Sequence, residues 1–140
     1  MQHEFPVSVS IATLRFDGAG GGEKDTYTYR GTVSCDTRYT LTYASEEGKQ
    51  KTVLSFDRER PERIALVQRG EVECELLFDK NTPHTTLYRV PGVGEMDMKI
   101  QTRSVENTEG ERTRRIRLDY EATVGGARLR TVMTLTVTEE

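Results

Sequence analysis

The sequence predicts an all-β protein: a single antiparallel meander β-barrel of about 8–10 strands spanning residues 1–140. Three observations carry this. Apolar residues recur with a period of two along almost the whole chain, the signature of half-buried strands. No window of a dozen residues shows the i, i+3, i+4, i+7 stripe of an amphipathic helix. Turn residues also fall where neighbouring runs can pair with matched faces.

The elements follow in order, expected near residues 4–16, 25–36, 38–45, 50–57, 62–69, 72–79, 85–90, 94–105, 112–124 and 127–138. In the first, Phe5, Val7, Val9 and Ile11 alternate with smaller or polar residues. The odd step to Leu14 and Phe16 predicts a bulge or bend there. Tyr39, Leu41 and Tyr43 alternate with threonine, and a turn at Glu47-Gly48 pairs them with Phe56, Leu54 and Thr52. A three-residue loop at Arg69-Gly70-Glu71 pairs Leu66 with Cys74 and Ile64 with Leu76. Met96, Met98 and Ile100 share one face. Finally, a Gly125-Gly126 type I′ turn pairs Ile116 with Leu135, Leu118 with Met133, Tyr120 with Thr131 and Ala122 with Leu129. Slipping that register by one residue would set apolar against polar throughout. An open meander of this length would expose two edges, so closure is expected.

Composition limits the function classes. Of 140 residues 34% are hydrophobic and 31% charged, the net charge is −3 and mean hydropathy is −0.65. That is too polar for a membrane protein, and the acidic pI of about 5.5 disfavours nucleic acid. The first residues, Met1–Pro6, lack the basic and apolar regions of a signal peptide, so a cytoplasmic protein with Cys35 and Cys74 reduced is expected. Two distant cysteines supply no zinc site, and neither metal nor cofactor is expected.

Several short motifs are similar to a known family. They include Gly31, Tyr39 through Tyr43 followed by Glu46-Glu47, and Val67-Gln68-Arg69-Gly70. Further along come Phe78, Tyr88 ahead of Pro91 and Gly94, Thr102, and Ile116-Arg117-Leu118-Asp119-Tyr120. On these residues the chain resembles the YwiB-like family of uncharacterised bacterial β-barrel proteins, over residues 5–138. Residues 18–24 and 57–63 match it least. The resemblance implies a lipocalin- or calycin-like barrel and no particular reaction.

Candidate chemistry is sparse. The glycine-rich stretch Gly18–Lys24 lacks the following helix that a phosphate loop requires and reads as a hairpin loop. Glu71, Glu73 and Glu75 read as a charged exterior rather than a glycosidase pair. His3 and His84 have no local nucleophile partner, and no enzyme constellation is expected. Met96, Met98 and Met133 share apolar faces with Tyr43, Tyr88 and Tyr120, and Arg69 could orient a ligand among them. With Thr102 from the family-like motifs, these residues are the candidate lumen of a non-enzymatic barrel that holds a small, partly apolar molecule. The alternative is a protein- or RNA-interaction face. Arg112, Arg114, Arg115 and Arg117 lie near Arg128 and Arg130, and Arg115, Arg117, Arg128 and Arg130 are its candidate contacts. The assembly expected is a monomer or a homodimer.

Overall fold

A computed structural model describes residues 3–16, 22–45 and 47–140, with the backbone alone for His3. Because the apolar period is two, every regular element among the described residues is a strand. They are β1 (His3–Phe16), β2 (Gly22–Cys35), β3 (Arg38–Ala44), β4 (Gln50–Asp57), β5 (Ile64–Gly70), β6 (Cys74–Phe78), β7 (His84–Val90), β8 (Gly94–Glu109), β9 (Thr113–Val124) and β10 (Ala127–Glu139). They form one ten-stranded sheet in the order β6-β5-β4-β3-β2-β1-β10-β9-β8-β7, every neighbouring pair antiparallel. The first and last strands join over a long ladder from Val7↔Glu139 to Phe16↔Arg130. The seam lies instead between β6 and β7. A single bridge, Glu73↔Arg89, nearly closes the barrel there through N–H···O bonds of 2.8 and 2.9 Å.

Two hairpins match the turn chemistry. Gly125 and Gly126 have φ of 57° and 84°, and the ladder pairs Leu118 with Met133 and Ile116 with Leu135. Tyr39, Leu41 and Tyr43 face Phe56, Leu54 and Thr52.

Two local expectations are corrected. The β5–β6 register differs by two residues, with Ile64 opposite Phe78, Leu66 opposite Leu76 and Gln68 opposite Cys74. Gly70 still belongs to β5, opposite Gln50, and the Gln50 amide holds the turn beyond it by bonding both the N–H and the C=O of Val72. A shift of two keeps every side chain on its face, so alternation alone cannot detect it. The second correction concerns the bulge. β1 runs without a register break, because Thr13 continues the inward face as a buried residue while Leu14 and Phe16 turn outward. The break is in β8, between Thr102 and Ser104.

The interior is filled by one contiguous cluster. Val7, Val9, Leu41, Leu54, Phe56, Ile64, Leu66, Phe78, Ile100, Ile116, Leu118 and Leu135 are all essentially inaccessible to solvent. Packing of this kind leaves small-molecule space at the ends of the barrel rather than in its middle.

Candidate binding site

The residues chosen from sequence divide by depth. Tyr43, Met98, Thr102 and Tyr120 are buried on the inner face, and Met133 packs half-buried against them. Tyr120 of β9 reaches across the lumen to β6, its ring 4.8 Å from that of Phe78. Its hydroxyl bonds Thr131, and that of Tyr43 bonds Thr52. Burial pushes both phenols up, Tyr43 to about 12, and the hydroxyl bonds oppose this only in part. The Thr102 hydroxyl is buried beside them and has no hydrogen-bond partner among the described residues.

Two members of the set lie elsewhere. Arg69 is on the outer face, where it bonds Glu75 at 2.8 Å and the Gln68 carbonyl at 3.0 Å. Its odd position within β5 opposes the inward Ile64, Leu66 and Gln68. Met96 is 52% exposed, because it sits beyond the end of the core next to the Gly125 turn. Tyr88 is half-buried at the seam.

The outer arginines are largely matched by carboxylates. Arg130 bonds Asp119 twice, at 2.8 and 3.1 Å, and Arg103 approaches the same carboxylate at 3.9 Å. Hydrogen bonding and charge from Arg130, with Arg103 and Arg117 adding charge, hold Asp119 below the usual carboxylate range despite its burial. Arg103, the extra residue at the β8 bulge, faces outward into this network and also meets Glu121 at 3.5 Å. Arg128 pairs with Glu121 and Arg117 with Glu106, both at 3.8 Å. Arg115 stands exposed beside them.

Arg114 is where sequence reading missed most. It belongs to the arginine-rich stretch but shares the even, inward face of β9 with Ile116, Leu118 and Tyr120. That parity was the available signal. Its side chain is only 14% exposed. The guanidinium lies 4.8 Å from the centre of the Tyr39 ring and 5.2 Å from that of Phe56, a double cation–π contact. Nη1 donates to Asn107 Oδ1 at 2.7 Å, and Asn107 donates from Nδ2 to the Pro61 carbonyl at 3.0 Å. Asn107 points inward because the β8 bulge switches the inner face from even to odd residues. Among the described residues the carboxylate paired with Arg114 is the exposed Glu109, at 3.5 Å.

Beside Arg114 the barrel end opens into a recess of about 270 Å³. Phe5, Val7, Tyr39 and Val137 supply its apolar floor, with the half-buried Cys35 at its edge. Arg58 and Arg112 line it together with Glu109, Glu111 and Glu139. Burial pushes the Tyr39 hydroxyl up to about 12, although the Arg114 charge lowers it. A recess with an apolar floor and one enclosed cation suits a small molecule having an apolar body and an anionic group.

The other motifs have plain structural places. Gly22–Lys24 open β2, while Gly18–Gly21 lie outside the described residues, as does Glu46. Glu73 and Glu75 are paired with Arg89 and Arg69. His84 begins β7 and contacts the Glu75 carbonyl at 3.1 Å, and the His3 side chain lies outside the description. Burial pushes the Cys74 thiol up, away from reactivity. Among the described residues no three His, Cys, Asp or Glu side chains gather as a metal site, and no helix is long and apolar enough to cross a membrane.

No curated protein matches the chain. The crystal structure of the YwiB protein from Bacillus subtilis matches with a TM-score of 0.83 at 21% sequence identity, covering 98% of this chain and 93% of that one. The likeness shows a common antiparallel β-barrel fold. A family model described as a domain of unknown function (DUF1934) matches residues 9–134, and the chain belongs to that family.

Proposed function

We propose that this protein is a non-enzymatic binding barrel for a small, partly apolar organic anion, held in the recess at the Arg114 end rather than in the middle of the lumen. One observation carries the reading. Arg114, only 14% exposed, lies against the stacked Tyr39 and Phe56 rings with a neutral amide at 2.7 Å, and its carboxylate neighbour Glu109 is exposed and more distant, at 3.5 Å. A desolvated guanidinium of this kind gains more from an incoming carboxylate or phosphate than an exposed one does. The apolar floor of Phe5, Val7 and Val137 would cover the rest of the ligand.

The test uses a library of small carboxylates and phosphate esters and the thermal midpoint of the intact protein. A ligand at a hundred times its Kd adds about 2.7 kcal/mol, a rise of roughly 8 °C for a domain of this size. The same ligand should slow alkylation of Cys35 by iodoacetamide, and Arg114→Met should abolish both effects. A hit unaffected by Arg114→Met, or a library with no hit, overturns the reading.

A further inference from the structure

The N-terminal part of β2, Gly22–Arg30, is a strand with one side free. It pairs with β1 from Phe16↔Gly22 to Ser8↔Arg30, whereas β3 joins β2 only from Gly31 onward. Gly31 marks the junction because any Cβ there would stand 2.7 Å from the Thr42 carbonyl oxygen. Among the described residues nothing else pairs with Gly22–Arg30. An edge of this length carries unpaired N–H and C=O groups and is a template for strand addition. Tyr27 is 52% exposed on it and continues a ring stack through Tyr29 to Tyr43, at 6.3 and 5.1 Å. Cavities of about 380 Å³, against Ser45, Gln50 and Glu71, and about 510 Å³, against Ser8, Ala44 and Glu140, leave space beside the edge at Thr28 and Tyr29.

We propose that this edge pairs antiparallel with the same edge of a second copy of the chain, with the two-fold axis at Thr26. In such a pair the residue on the axis faces itself, and residues equally far on either side face one another. An axis at Thr26 uses the whole of Gly22–Arg30. It sets Asp25 against Tyr27, Glu23 against Tyr29 and Lys24 against Thr28, with Thr26 against its own copy. Each tyrosine hydroxyl can donate to the carboxylate opposite, and threonine pairs across strands are favourable. Asp25 is already steadied by Arg15 at 2.9 Å.

The neighbouring registers are penalised by charge. An axis at Lys24 or Asp25 sets that residue against itself, and one at Tyr27 sets Lys24 against Arg30 twice; like charges directly opposite destabilise a ladder. An axis at Thr28 leaves only Thr26–Arg30 in the pair. Register and charge pattern therefore agree on a single self-complementary pairing, which fits a second copy better than an unrelated strand. The pairing would fuse two barrels through a continuous β1–β2·β2–β1 ribbon.

Sedimentation of the full chain over a concentration series supplies the first test. The wild type should run as a dimer, and Thr26→Lys, which opposes two cations on the axis, should run as a monomer with an unchanged circular dichroism spectrum. Thr26→Cys supplies the second, independent of any folding defect in the lysine variant. Paired strands bring the axial Cα atoms within disulfide reach, so mild oxidation should cross-link Thr26→Cys about ten-fold faster than Thr28→Cys. Mixing Lys24→Cys with Thr28→Cys should restore cross-linking that each lacks alone. A wild type that stays monomeric at every concentration, a Thr26→Lys protein that stays dimeric, or equal cross-linking at residues 26 and 28 overturns the proposal.

Discussion

The two ends of β3 show how differently one barrel treats its openings. Tyr39 at one end and Tyr43 at the other both face inward, and burial pushes both phenols up to about 12. Their neighbours are unlike. Tyr39 carries the Arg114 guanidinium on its ring, backed by Asn107 and Pro61, so that end is sealed by a cation on an aromatic shelf. Around Tyr43 and Tyr120 the partners are hydroxyls: Thr52 bonds Tyr43, Thr131 bonds Tyr120, and Thr102 has no partner among the described residues, while the Arg15 guanidinium acts on Tyr120 through its charge and is paired with Asp25. A charge can be enclosed where rings and an amide surround it close to solvent, while at the other end the buried tyrosines meet hydroxyls and the Arg15–Asp25 pair stays partly exposed.

Substitutions at each end test that contrast. The largest effect is expected from Tyr120→Ala, which removes the ring spanning to Phe78 and should cost about 4 kcal/mol in urea denaturation. Arg114→Ala should cost about 3 kcal/mol by uncovering two rings and leaving Asn107 Oδ1 without its donor, with Arg114→Met recovering roughly half through its unbranched stem. A cost for Arg114→Ala below about 1 kcal/mol would mean that the cation does not seal its end.

The tyrosines make the ends visible to pH. A phenol whose folded pKa is raised binds its proton more tightly in the native state, so its contribution is intact below the unfolded value near 10 and declines as pH rises toward 12. Stability should therefore fall by about 2 kcal/mol per tyrosine across that window. Tyr39→Phe and Tyr43→Phe should each flatten the fall, read by ultraviolet titration and thermal melts at paired pH values. Arg114→Met should raise the Tyr39 midpoint and leave that of Tyr43 where it is. Asp119 on the outer face behaves oppositely. Its folded pKa is lowered, so its contribution is present above the ordinary value near 3.8 and is lost as pH falls below it.

Smaller effects follow. Thr102→Val replaces an unpartnered buried hydroxyl with a methyl of the same shape and should stabilise by about 1 kcal/mol. Arg117→Ala, which removes a rim ion pair of 3.8 Å, should change stability by less than about 0.5 kcal/mol. Stabilisation absent from Thr102→Val would show that the hydroxyl has a partner in solution.

Much of this barrel was legible in the chain. Strand positions, two hairpin registers and the inward set Val7, Leu41, Leu54, Ile116, Leu118 and Leu135 follow from alternation and turn residues, because a side chain in a strand has only two directions. The candidate site was far less legible. Arg114 was grouped with its charged neighbours although its even position aligns it with Leu118. Asn107 was hidden by the β8 bulge, which reverses parity without leaving a clear mark in composition. Arg69 and Met96 failed as lumen residues for separate reasons, one facing outward and the other lying past the end of the core.

By itself the sequence determined that this chain forms a meander of paired strands with a shared apolar interior, since period and turn chemistry are local properties. Only the tertiary structure decided that the seam falls between β6 and β7, that the middle of the lumen is filled, and that an arginine faces inward beside the remaining recess. Those outcomes depend on strand lengths, a bulge and contacts across the barrel between residues far apart in the chain, which no local pattern encodes.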